Sequence, residues 1–392
     1  MLIGARLRQL RLARDLSLDD LAREMGGIVT KQALSKYEGG KSQPSHVVLN
    51  KLASALGVKA SSLAAEPAIG VEFHGFRKRA RLGKREQESI QSWVKQLLED
   101  RARLQSLFNV SQLTPLPFHS FVVSSLEDIE DAAMGLRRTW SLGSAPIADV
   151  TNTLEDWRVH VIEIPDHERF DGLSATVSNE QGEIVAGAVI ISSQTSGERQ
   201  RFNLAHELGH LVMKMAKKLD KEAAANRFAG AFLAPSEALI STTGQKRHHI
   251  SQQELMLLKE KFRMSIQALL YRMMNLGIIS ETYHKQWCVD INRLGWRKNE
   301  PGELPREQPN WLRRTILQAI TEDLMTKEEA ERILGESIDS EEPLTLKQRR
   351  DFIKLPLEER RAIMAKQARE LAEHYNTDPE WREGEGGAII ED

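Results

Sequence analysis

RFNLAHELGHLVMKM at 201–215 and EAAANRFAGAFLAP at 222–235 decide how this chain is read. The first stretch contains His206-Glu207-Leu208-Gly209-His210. Residues four apart on a helix lie about 40° apart around its axis, so both imidazoles project to one side and can share a cation. Glu207 sits about 100° further round, beside such an ion without ligating it. It is placed to take a proton from a water and return it to a leaving amine.

The spacing is that of the H-E-x-x-H metallopeptidase helix. Two imidazoles leave a catalytic zinc one protein ligand short of three, so a third must come from elsewhere. Glu222 is the only acidic side chain in the second stretch before Glu237, and Ala223, Ala224, Ala225 and Ala229 permit close packing on the histidine helix. Asp220 either caps that second helix or replaces Glu222 as ligand, and Glu222 ranks first. VHVIEI at 159–164 alternates and stops at Pro165, and IVAGAVIISS at 184–193 is rich in β-branched residues, so both read as strands. The strand at 184–193 is expected to take an extended peptide by edge addition. Tyr271, Arg272, Arg199 and Arg201 are candidates for oxyanion or carboxylate contacts, with a structural role the stronger expectation for each. His160 reads as a packing residue within its strand, and His248 and His249 as surface residues.

Working outward toward the N-terminus, Leu7, Leu10 and Leu12 give a first helix an apolar side. Ser17 caps a second helix, with Asp20 at the capping-box position. Gly26-Gly27 permits a sharp turn, and Thr30 caps a third helix, KQALSKYE. Two short helices joined by a glycine turn form a helix-turn-helix. Lys31, Gln32, Ser35 and Lys36 face outward and suit base edges and phosphates, while Ala33, Leu34 and Tyr37 face the core. Lys41, in a glycine-rich turn, adds a phosphate contact.

Residues 3–66 resemble the XRE-type helix-turn-helix family, most specifically in LSKYEGGKSQPS. That family often carries Gln at the start of its second helix, where this chain has Leu18. The resemblance implies that Thr30, Lys31, Gln32, Ser35, Lys36 and Lys41 meet double-stranded operator DNA, read by a homodimer on two half-sites. A second resemblance runs from about 119 to 297 through LRRTWSLGSAPIADV, DGLSATV, ERQRFNLAHELGHLV, EAAANRFAGAFLAP and LLKEKFRMSIQALLYRMMNLGIIS. This stretch resembles the ImmA/IrrE family of zinc-dependent peptidases. The resemblance implies Zn2+ held by His206, His210 and Glu222, Glu207 as general base, and cleavage of a repressor-type protein.

Composition bounds the rest. With 392 residues, 41% hydrophobic and 28% charged, the chain is a multidomain globular protein. No apolar run approaches the ~20 residues of a membrane span. The single cysteine, Cys288, excludes an internal disulfide framework and a cysteine-built zinc site, and with no leader pattern at the start a cytoplasmic location is expected. Charge is uneven: residues 1–110 hold 19 basic against 11 acidic side chains, and residues 300–392 hold 14 against 23. Different partners at the two ends are therefore expected.

The tail from 344 onward, with LPLEERRAIMAKQA and WREGEGG, resembles short antitoxins of bacterial toxin–antitoxin systems, which implies a toxin nuclease as its partner. The expected fold is α+β. A helix-turn-helix domain covers 1–66, a basic helical connector 67–115, and a mixed α/β zincin-like peptidase domain with a small sheet 116–299. A Pro-rich linker with a small helical segment follows at 300–340, then the partner-binding helical tail at 341–392. Two functions follow from this reading. One is a DNA-binding regulator with a zinc endopeptidase domain acting on a repressor or antitoxin-type protein, its own chain included. The other is a non-catalytic antitoxin and autorepressor.

Overall fold

The computed structural model describes residues 2–64, 69–78, 83–108, 116–165, 170–297, 299–338, 350 and 352–366. Five helices open the chain: α1 (Leu2–Leu12), α2 (Leu18–Glu24), α3 (Lys31–Glu38), α4 (His46–Ala55) and α5 (Ala60–Ala64). Ser17, Thr30 and Ser45 cap α2, α3 and α4 by accepting from the amides of Asp20, Ala33 and Val48. Gly26 and Gly27 turn the chain between α2 and α3 with φ of 69° and 72°, a left-handed region that glycine enters without steric cost. Leu7, Leu10, Leu21, Leu34, Leu52, Leu56 and Leu63 make the core. The Arg11 guanidinium binds both oxygens of Glu38, at 2.6 and 2.8 Å, and so locks α1 to the end of α3.

The sheet follows. Its surroundings comprise β1 (Gly70–Lys78), α6 (Lys84–Leu107), β2 (Phe121–Val123), α7 (Leu126–Thr139), α8 (Val150–Asp156), β3 (Val159–Ile164), β4 (Phe170–Ser178), β5 (Ile184–Ser192), α9 (Gly197–Val212), β6 (Met213–Met215) and α10 (Lys221–Leu233). Four strands lie in the order β1-β4-β5-β3. β4 pairs antiparallel with both β1 and β5, and β3 runs parallel to β5. A separate parallel pair joins β2 to β6. One face of the sheet is covered by α6, through Ile90, Val94 and Leu98 against Ile164, Phe170, Ala175 and Ile190. The other face meets α9 and the larger core of α7, α10 and the helices beyond.

Two expectations fail here. The stretch 67–115, expected to be a basic helical connector, supplies an outer strand and the helix that covers the sheet. Val71 and Phe73 on β1 find apolar partners more than 90 residues away, so the strand is fixed by long-range pairing. α6 also carries the N-terminal helices, because Arg6 pairs with Glu99, Arg8 with Glu88, and the Ser89 hydroxyl donates to the Leu12 carbonyl. The strand at 184–193 was expected to offer a free edge. β5 is flanked on both sides, by β4 and β3, and has none.

Four helices complete this part: α11 (Ser236–Thr243), α12 (Gln252–Phe262), α13 (Ile266–Asn275) and α14 (Glu281–Arg293). The Pro-rich stretch at 300–310, expected to be a linker, is instead a strap held by buried charge. Glu307 pairs with Arg201 and accepts from the Thr151 amide. Lys259 sits between Glu198 and Glu300, at 2.5 and 2.7 Å. The carbonyls of Leu304 and Pro305 lie so close to Gly197 that a Cβ there would stand 2.5 and 2.4 Å from them.

The described residues from 313 onward belong to a separate unit. It contains most of α15 (Trp311–Thr321) and α16 (Lys327–Leu334), the latter capped by Thr326 and closed by Gly335. Ile316, Ala319, Ala330 and Ile333 are buried, while Ile353, Leu357 and Met364 are exposed. Of the expected partner-binding tail at 341–392, residues 341–349, 351 and 367–392, the acidic, Trp-containing end among them, lie outside the described residues. Among the described residues, no helix is long and apolar enough to cross a membrane.

Candidate metal centre

Ser196 starts α9 by accepting from the Arg199 amide, and nearly every residue from Gly197 to Val212 is buried. α10 starts on Asp220, whose carboxylate accepts from the amides of Glu222 and Ala223. Asp220 is thus a cap, and Glu222 occupies the first turn. The two helices cross closely because Gly209 lies under the Phe228 ring, where a Cβ would come within 3.0 Å, and because Ala224, Ala225 and Ala229 add little bulk. This crossing carries Glu222 to the imidazoles.

His206 Nε2 and His210 Nε2 are 3.1 Å apart. The Glu222 carboxylate lies 3.5 Å from the first and 3.3 Å from the second. All three ligand atoms fall within 4.8 Å of one another. A tetrahedral ion with bonds of about 2.0–2.1 Å separates its ligand atoms by about 3.3–3.4 Å, close to the 3.1 Å between the two nitrogens and to the distance from each nitrogen to its nearer Glu222 oxygen, Oε2 for His206 and Oε1 for His210, so the three side chains fit a zinc ion. His206 is fully buried and Glu222 is 51% exposed, which leaves the carboxylate side open. His206 Nδ1 is 2.9 Å from Asn226 Oδ1. An amide oxygen only accepts, so Nδ1 carries the proton and Nε2 turns its lone pair toward the ligand cluster. Asn226 was missed in the sequence, where its one signal was the spacing of four residues from Glu222.

Glu207 is buried and points to the sheet, against Gly172 of β4. The other candidates from sequence have structural partners. Arg272 binds both oxygens of Glu130 and the Ala234 carbonyl, and Arg201 binds Glu307 and the Ile147 carbonyl. Tyr271 stacks edge-on with His284, outside the ligand cluster. His160 is buried against Trp311. Burial, with the Arg101 charge second, pushes its imidazole down to about 3.

At the N-terminal end, Thr30, Lys31, Gln32, Ser35, Lys36 and Lys41 are all exposed, and Leu34 is buried beneath them. Lys31 also pairs with Asp19 at the surface.

Two family models match the chain. A helix-turn-helix model covers residues 7–63, and a model described as an IrrE N-terminal-like domain covers residues 158–274. No curated protein matches as a relative. Residues 7–63 are therefore similar to an XRE-type helix-turn-helix module, and residues 158–274 to an IrrE-like peptidase domain.

Proposed function

We propose that this chain is a DNA-bound regulator whose second domain is a zinc-dependent endopeptidase acting on a repressor or antitoxin-type protein. The observation that supports it most is the convergence of His206, His210 and Glu222, with one ligand atom of each within 4.8 Å of the others and Glu207 beside His206 in sequence. When bound, zinc would act as a Lewis acid on the scissile carbonyl and make water a nucleophile near neutral pH. Glu207 takes a proton from the attacking water. As the C–N bond breaks, the same carboxyl delivers that proton to the leaving nitrogen.

Exposed Gln32, Ser35 and Lys36 are the groups for base edges, and Lys31 and Lys41 those for phosphates, with a homodimer in the cytoplasm reading two half-sites. A second reading, a non-catalytic antitoxin and autorepressor, draws support from the exposed apolar side chains Ile353, Leu357 and Met364 within the tail. Here a toxin nuclease would be the partner.

One experiment separates the readings. The zinc-loaded full chain and its Glu207→Gln variant are incubated with a proteome-derived peptide library, and new termini are read by mass spectrometry. The peptidase reading expects new termini from the parent alone, with equal zinc in both proteins. Identical termini from both would overturn it.

A further inference from the structure

β4 is the strand that touches the general-base candidate. A Cβ built on Gly172 would stand 2.4 Å from Glu207 Oε1, so the β4 backbone lies directly against that carboxylate. An exposed strand edge offers unpaired amides and carbonyls to any extended peptide, and edge addition is a general way of holding one. One edge of β4 is taken by β5. The other is taken by β1, which also touches α9. β1 lies outside the segment 158–274 that matches the peptidase model.

We propose that β1 is a resident pseudosubstrate: it fills the edge of β4 that takes an extended peptide substrate, and the peptidase works only when β1 is displaced. This rests on the peptidase reading above and adds to it how a substrate is held and how the site is kept shut.

Three features support that assignment. The pairing is antiparallel and regular from Gly70↔Ser178 to His74↔Ser174, as a bound peptide strand would pair. Register breaks then fall between His74 and Phe76 and between Phe76 and Lys78, across from the stretch of β4 that contains Gly172. A bulge unpairs and redirects the backbone, so no peptide group of β1 is presented in regular register beside Glu207. This explains how a strand can lie there without being a substrate. Finally, side chains latch β1 in place. The Ser174 hydroxyl donates to the His74 carbonyl at 2.9 Å, and His74 Nε2 lies 2.9 Å from the Thr176 hydroxyl. The His74 ring meets His119 edge-on at 4.9 Å, and the His119 amide donates to the Leu211 carbonyl, one residue beyond His210.

The test uses the full chain, with Cys288→Ser removing its single native thiol. Glu72 and Thr176 are direct cross-strand partners, so Glu72→Cys with Thr176→Cys gives a reversible lock. A release variant combines His74→Ala with Ser174→Ala. The probe is a fluorescein-labelled peptide of the chain's own sequence GVEFHGFRK, followed by anisotropy. A site open in under a tenth of molecules binds at least about tenfold more weakly than a fully open one. The release variant should therefore bind the peptide about tenfold or more tightly than the parent, with faster hydrogen exchange at β4 amides. The oxidised lock should bind none and yield no new termini from the peptide library, and reduction should restore both. Equal binding by parent, release variant and oxidised lock would overturn the proposal, as would new termini formed at the same measurable rate by the oxidised and the reduced lock. Binding by the release variant without any cleavage would sink the peptidase reading and leave the strand exchange standing.

Discussion

Gly172 and Glu207 are packed so closely that a single methyl group between them would collide with the carboxylate, 2.4 Å from Oε1 and 2.9 Å from Cδ. The glycine is needed for space, since its backbone conformation is one that alanine adopts. Gly172→Ala is therefore expected to displace Glu207 and leave the metal ligands in place. A misplacement of about 1 Å costs on the order of 100-fold in rate. Steady-state kinetics on a cleaved library peptide should show kcat falling by about that factor, with zinc content and KM little changed. An unaltered kcat would show that Glu207 does not need its present position.

His160 sets an acid limit on stability. In the unfolded chain its imidazole takes up a proton below about 6.5, whereas burial holds it neutral in the fold down to about 3. Between those values the unfolded state binds more protons, so stability falls with pH, at up to about 1.4 kcal/mol per pH unit. Urea unfolding at stepped pH should show this slope in the parent and a flatter one in His160→Phe. The same slope in both proteins would count against the assignment.

The strap at 300–310 depends on a buried pair. Arg201 and Glu307 are 1% and 4% exposed, so neither side chain can turn to water when the other is removed. Glu307→Ala leaves the guanidinium without its ion-pair partner and is expected to cost about 3–5 kcal/mol of stability. Chemical denaturation of the zinc-free protein reads this directly, and a loss under 1 kcal/mol would show that the strap is not held this way.

Operator binding should fall steeply with salt. Each phosphate neutralised contributes about 0.9 to the slope of log K against log salt concentration. Lys36→Ala and Lys41→Ala are each expected to reduce that slope by about one if both lysines touch phosphate. Fluorescence anisotropy between low and moderate salt measures it. A slope unchanged in both variants would move the DNA contact away from α3 and the turn after it.

The parts that sequence made legible are those whose signal is local. Ser17 and Thr30 announce helix starts within three residues, and the spacing of His206 and His210 fixes their common side on any helix. Glu222 could be ranked because no other acid lies in its helix before Glu237. What stayed hidden depends on partners far along the chain. Val71-Glu72-Phe73-His74 alternates as a strand should, but Gly75 interrupts it and the basic run at 77–86 drew the reading toward a connector. Its partner strand begins nearly a hundred residues later. Glu307 looks like any linker acid until it meets Arg201, and the internal place of β5 follows from strand order, which local alternation does not encode.

The metal content of the purified full chain tests the central claim most directly, measured by inductively coupled plasma mass spectrometry after dialysis against a weak chelator. One zinc per chain is expected in the parent and in Glu207→Gln, and none in His206→Ala, His210→Ala or Glu222→Ala. A parent without stoichiometric zinc, or a full equivalent persisting in His206→Ala and His210→Ala, would contradict the account.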